Sequence, residues 1–332
     1  MSLDHFELTV PGTDEPLRRD GDRLIGDGAS FEQASDRIWD MLPASRRAEF
    51  DAFERAYAEV RAAEGRVASP DEVRRLPDTD ADHPLADMWR QRRASFDRLC
   101  HFLGESGLDE SSSSEANPDR ASGGRLVDIG AGCGWLAAHL AADGWHAAAV
   151  DVVVEGGDGL GAAAHHDADL LLLRADMEAL PFASGSIDLA VFNASLHYAA
   201  DVDGALAEAR RVLGPDGVLV VLDSPVFTDP TAGAEMVQEF ADHARRTLGV
   251  EAATNAGPGY VTATQVAVHD LAEVGAPSTV TDRTIAGLRR IRGRVRAGRE
   301  IAARPLLVAP LTPVPASTPT ARPFESSPRS TT

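Results

Sequence analysis

Short apolar runs alternate with helical segments through the middle of this chain. Val127 to Ile129, His146 to Val150, Leu170 to Leu173, Ile187 to Phe192 and Val218 to Leu222 are close to continuously apolar, as strands covered on both faces are. Helical segments lie between them, and Leu206 to Leu213 reads as a helix closed by Gly214-Pro215-Asp216-Gly217. That succession predicts an α/β fold: a doubly wound, mostly parallel, seven-stranded sheet with helices on both faces, over residues 125–311. The last two strands are expected at Ser278 to Thr281 and Pro305 to Pro310. Before them come a helix from Thr231 to Leu248 and one opened by the capping box Thr262-Ala263-Thr264-Gln265 and running through Glu273.

Upstream, Phe50, Phe53, Tyr57 and Val60 recur at spacings of three and four before Gly65, so residues from Ala44 to Glu64 form an amphipathic helix. A second helix starts at Pro84, carries Leu85, Met88, Trp89, Phe96, Leu99 and Leu103, and ends at Gly104. Together they predict a helical cap over residues 44–108. Residues 1–43 instead show short apolar pairs punctuated by Pro11-Gly12, Gly21-Asp22 and Gly26-Asp27-Gly28, a pattern of tight hairpins. Residues 109–124, with Ser111 to Ser114, read as a disordered connector, and residues 312–332, rich in Pro, Thr and Ser, as a disordered tail.

Composition then narrows the chemistry. With 332 residues, 43% of them hydrophobic, the chain can bury a sizeable core. All 32 basic residues are arginine, so a phosphate-binding P-loop lysine and a Schiff-base lysine are both excluded. Two cysteines, Cys100 and Cys133, supply neither a disulfide framework nor a four-thiolate zinc site, and no metal is expected. The formal charge of −20 disfavours polyanionic partners, although the predicted helix Thr284 to Ile301 carries Arg289, Arg290, Arg292, Arg294, Arg296 and Arg299. Its solvated-face reading outweighs RNA binding, because no aromatic residue interleaves for base stacking. No run of 18 apolar residues and no signal sequence is present, so the expectation is a cytoplasmic protein without a membrane span.

The most specific local signal is Val127-Asp128-Ile129-Gly130-Ala131-Gly132-Cys133-Gly134-Trp135, a strand that breaks into a glycine-lined turn and opens a helix. Glycine admits positive φ and lets backbone approach a ligand closely. The dinucleotide template G-x-G-x-x-G fails here, since Trp135 takes its last position. What stands is D-x-G-x-G-x-G. Asp151 follows the second run, 21 residues after Gly130, where a doubly wound fold places an acid on ribose hydroxyls. The third run leads into Ala175-Asp176-Met177-Glu178-Ala179-Leu180-Pro181-Phe182, and the fourth stops at Asn193-Ala194-Ser195-Leu196-His197-Tyr198.

In that order the motifs resemble the class I S-adenosyl-L-methionine (SAM) dependent methyltransferases of the type 11 group, with a Rossmann-like domain. The resemblance implies SAM as cofactor, held by Asp128, Gly130, Gly132, Gly134, Asp151, Asp176, Met177 and Asn193. It places His197 and Tyr198 near the reactive methyl. His197 is the leading candidate base, with Tyr198 and Asp223 behind it, and a pocket-shaping role for His197 is the alternative. Tyr57 and Arg61, one turn apart, meet the methionine carboxylate of SAM or serve as core and solvated flank. The expected acceptor is a small molecule, with an rRNA or tRNA methyltransferase and a SAM-binding regulator without turnover as alternatives. Residues 1–43 resemble a small zinc-ribbon-like domain whose cysteines are replaced, with Val10, Thr13 and Gly26 at thiolate positions, hence a degenerate, metal-free ribbon.

Overall fold

The computed structural model describes residues 3–35, 37–65, 68–106, 123–155, 157–251, 257–274, 300, 302–310 and 322–323. Its strands are β1 (Arg18–Asp20), β2 (Arg23–Gly26), β3 (Ala29–Ser35), β4 (Ile38–Asp40), β5 (Arg125–Ile129), β6 (His146–Asp151), β7 (Leu171–Arg174), β8 (Ile187–Asn193), β9 (Leu213–Leu222), β10 (Val226–Phe227), β11 (Val261–Thr262), β12 (Ala272–Glu273), β13 (Leu307–Pro310) and β14 (Arg322–Pro323). The helices are α1 (Ala44–Ala63), α2 (Pro70–Arg75), α3 (Ala86–Ser106), α4 (Trp135–Ala142), α5 (Val202–Val212), α6 (Pro230–His243) and α7 (Ala263–Val268).

Twelve strands share one sheet in the order β1-β2-β3-β4-β7-β6-β5-β8-β9-β13-β12-β14. The six from β4 to β9 run parallel, and antiparallel pairs flank them on both sides. Chain order reverses at β5, which pairs with β6 on one side and β8 on the other. Such a switch point parts the connections and opens a crevice beyond the carboxyl ends of the strands.

The period of two along each strand divides the core. Val127, Ile129, Val150, Leu173, Phe192 and Val221 pack on one face with Leu206 and Ala209 of α5. Leu126, Ala149, Leu172, Val191 and Val220 pack on the other with Leu136 of α4 and Phe96 and Leu99 of α3. This α/β layering with helices on both faces is the expected architecture.

The strand count differs from the expected seven. Tight turns with Gly21 at φ +66° and Gly28 at φ +77° fold residues 18–35 into hairpins, and β4 then joins β7 in parallel, so the N-terminal segment lengthens the same sheet. The expected helix through Glu273 stops at Val268, because Asp270 turns at φ +50° and Ala272–Glu273 pairs antiparallel with β13. Residues 278–281, residues 284–299 with their arginines, residues 109–122 and most of 312–332 lie outside the described residues. α2 was not foreseen, although Ser69 and Glu72 form its capping box. Among the described residues no helix is long and apolar enough to cross a membrane.

Candidate functional site

The glycine turn after β5 is built from backbone that other residues rarely adopt. Gly130, Gly132 and Gly134 have φ of +72°, +55° and +70°. A Cβ at Gly130 would lie 2.3 Å from the Ser195 Cβ, and one at Gly132 3.0 Å from the Asp158 carbonyl oxygen. The N–H groups of Gly130 and Ala131 donate to the Val150 carbonyl at 2.7 and 3.0 Å, which fastens the turn to the end of β6. Asp151 completes that link: one carboxylate oxygen accepts from the Gly132 N–H at 2.8 Å and the other from the Val153 N–H at 2.8 Å. Burial pushes the Asp151 carboxyl up to about 6, against the lowering effect of these amides. Asp128, fully buried below the turn, is pushed up to about 7 by the same cause.

A cavity of about 480 Å³ opens in front of this turn, within the ~300–1,000 Å³ usual for small-molecule sites. Of the residues expected at the site, Gly130, Gly132, Asn193, His197 and Tyr198 line it. Asp128, Gly134, Asp151, Asp176 and Met177 do not. Gly134 is instead the left-handed N-cap of α4, where a Cβ would lie 3.2 Å from the Ala163 Cβ. Met177 packs against the core near Gly130. Asp176 is 5% exposed, with one oxygen bonded to Arg46 at 2.9 Å and the other to the Glu178 N–H at 3.0 Å.

Helix α1 lies across the ends of β6 and β7. Glu54 accepts the N–H groups of Val154 and Glu155 at 2.6 and 2.8 Å and pairs with Arg174 at 2.9 Å. One turn on, Tyr57 donates to Asp158 at 3.3 Å, and Arg61 reaches Asp158 at 3.4 Å and Glu64 at 2.7 Å. Arg61 is thus no solvated flank: it is 8% exposed and lines the cavity. Burial opposes its charge, but the surrounding oxygens, Asp158 and Glu64 among them, raise its pKa overall.

The ends of β8 and β9 form the opposite wall. Asn193 accepts from Arg92 of α3 at 3.3 Å. His197 Nδ1 is 3.5 Å from the Ser224 hydroxyl, and its ring stacks obliquely on Tyr198 with centroids 4.3 Å apart. Burial, then Arg92, Arg304 and Arg61, push the His197 pKa down to about 3. The ring is neutral at physiological pH and holds a proton poorly. Leu85, Met88, Met236 and Val237 add apolar surface.

Arg92, Ser95 and Asp158 were missed from the sequence. Met88, Arg92 and Ser95 are spaced by four and three, so membership of one helical face was the available signal. Asp158 sits in a glycine-rich loop and offered none.

Residues 127–221 match the family model described as a methyltransferase domain. Within the chain, 98 residues are 38% identical to the malonyl-[acyl-carrier protein] O-methyltransferase of Erwinia billingiae, covering 30% of this chain and 38% of that one. The enzyme of the same name from Geobacter sulfurreducens is 38% identical over 101 residues, 28% of this chain and 36% of that one. The chain therefore spans well under half the length of these curated relatives. The geranyl diphosphate C-methyltransferase of Streptomyces coelicolor A3(2) superposes with a TM-score of 0.45 and 15% identity, over 80% of this chain and 98% of that one. The segment that supplies β5 through β9, and with them the glycine turn, Asp151, Asn193 and His197, is similar to the methyltransferase domain.

Proposed function

We propose that this protein is a SAM-dependent methyltransferase acting on a small-molecule acceptor. The observation that carries the reading is the turn at 130–134: three glycines in left-handed backbone at the switch point of the sheet, tied to the acid of the next strand. SAM, bound there, supplies a methyl group activated by its sulfonium. Gly130 and Gly132 let the turn pack directly against Ser195 and the Asp158 carbonyl oxygen, where a Cβ would come within 2.3 and 3.0 Å, and so bring bare backbone to the cavity. Asp151 keeps spare lone pairs for the ribose hydroxyls beside those given to Gly132 and Val153. Asp128 lies buried next to the turn, and Gly134 sets the start of α4. Met177 flanks the adenine, and Asp176 takes its amino group by exchanging Arg46 for it. Asn193, Tyr57 and Arg61 meet the amino-acid end, and His197 and Tyr198 face the acceptor.

The relatives' names, O-methyltransferases of an acyl substrate, support a small or carrier-bound acceptor over nucleic acid. For residues 1–43 a metal-free ribbon is the reading. A Cβ at Gly26 would meet Leu17 at 2.9 Å, Val10 at 3.2 Å and the Glu15 carboxylate at 3.3 Å, so two apolar side chains and a carboxylate crowd the place of a thiolate. Transfer of label from methyl-labelled SAM into fractionated cell extract tests the function. Label in a small-molecule fraction is the expected result; label confined to RNA, or none above a heat-denatured control, contradicts it.

A further inference from the structure

Asp223, directly after β9, is 1% exposed and lines the cavity. Its φ of +52° lies in the left-handed region, uncommon for a non-glycine residue though more open to Asp than to most. The contacts that hold its side chain come from α3. The Ser95 hydroxyl and the Gln91 amide donate to Oδ1 at 2.9 and 3.3 Å. Oδ2 is buried with no hydrogen-bond donor, and Arg92 stands off at 3.8 Å, near enough to offset the charge but too far to bond. A buried carboxylate oxygen left without a donor is costly and rare in a settled core. It makes sense where a ligand brings the donor.

We propose that Asp223 Oδ2 receives the methyl acceptor, accepting the hydrogen of a phenolic or enolic hydroxyl and taking its proton on transfer. The proposal rests on the methyltransferase reading. The O–H bonding pair stays on the acceptor oxygen, which forms its bond to the methyl carbon as the old pair to that carbon remains on the donor sulfur. The proton passes to Oδ2 and from the neutral acid to water. Two features set the acceptor class. Arg92, 3.8 Å from Asp223, and Arg304 line the cavity around His197 and oppose a cationic amine, while stabilising oxygen charge as it develops. Leu85, Met88, Met236 and Val237 suit an apolar ring. His197, with its weak hold on a proton, leaves the role of base to Asp223.

The full chain is first titrated with S-adenosylhomocysteine, then, saturated with it, with 1-naphthol and with 1-methoxynaphthalene, which keeps the ring and lacks the donor. Wild type is expected to prefer 1-naphthol by roughly tenfold, and Asp223→Asn to bind both alike, because an amide NH2 in place of Oδ2 donates to either oxygen. S-adenosylhomocysteine affinity stays within about twofold in the variant, which also shows that it is folded. Equal binding of the two probes by wild type, binding of neither, or a preference that survives Asp223→Asn overturns the proposal. Failure of S-adenosylhomocysteine to bind wild type in the first titration instead counts against the methyltransferase reading itself.

Discussion

Arg61 of α1 donates through Nη2 to the Tyr198 hydroxyl at 2.9 Å, a bond between residues 137 apart in sequence. It ties the cap helix to the loop behind β8, and Arg61 also pairs with Asp158 and Glu64. Removing a mostly buried charge leaves its partners uncompensated, at about 3–5 kcal/mol, whereas losing one neutral hydrogen bond costs about 1 kcal/mol. Arg61→Ala is therefore expected to destabilise the fold by several times the effect of Tyr198→Phe, which keeps the ring against Phe53 and Tyr57. Denaturant titration of the two variants measures the difference.

A methyl group at Gly130 has no room. Gly130→Ala combines φ +72° with a 2.3 Å approach to Ser195, so a loss of about 2 kcal/mol or more is expected. Gly21→Ala also sits at positive φ but meets nothing within 4 Å, and is expected to cost about 1 kcal/mol from backbone strain alone. Thermal unfolding that ranks the two equally would contradict the close approach.

Asp128 links stability to pH between 3.8 and about 7. Its folded pKa of about 7 lies above the unfolded 3.8, so the fold favours the protonated acid. That stability is fully present below pH 3.8 and is lost as pH rises through 7. Asp128→Asn, which does not titrate, is expected to show a flatter dependence than wild type between pH 5 and 8. Unfolding midpoints across that range provide the check.

His197 acts from the acid side. Its folded pKa of about 3 is below the unfolded 6.5, so its stability is present above pH 6.5 and is lost as pH falls toward 3. At pH 5 the penalty is about 2 kcal/mol, and His197→Gln is expected to remove it. Equal acid sensitivity in wild type and variant would show that the imidazole is not held neutral.

Local signals made much of this fold legible. Gly130, Gly132 and Gly134 announced a left-handed turn, and apolar runs without polar alternation announced a parallel sheet covered on both faces. Thr262 and Gln265 named a helix start, and their capping box opens α7. Contacts between distant segments were not legible. Nothing near Ile38 to Asp40 says that it pairs with Leu172 to Arg174. The Arg46 to Asp176 bond spans 130 residues, and α3 supports Asp223 over 128 and 132. Sequence order placed Asp151 and Asp176 at strand ends, but only three-dimensional packing reveals α1 lying over them. His197 stood out as a base by its residue type, and its surroundings of buried space and arginine removed that basicity.

Isothermal titration with S-adenosylhomocysteine shows whether SAM occupies the crevice at the glycine turn. Wild type is expected to bind one equivalent with a micromolar Kd. Gly132→Val, whose Cβ would start 3.0 Å from the Asp158 carbonyl oxygen, is expected to bind roughly a hundredfold more weakly while keeping its circular dichroism spectrum. No binding by wild type, or undiminished binding by a folded Gly132→Val, would show that the crevice at the glycine turn is not the SAM site.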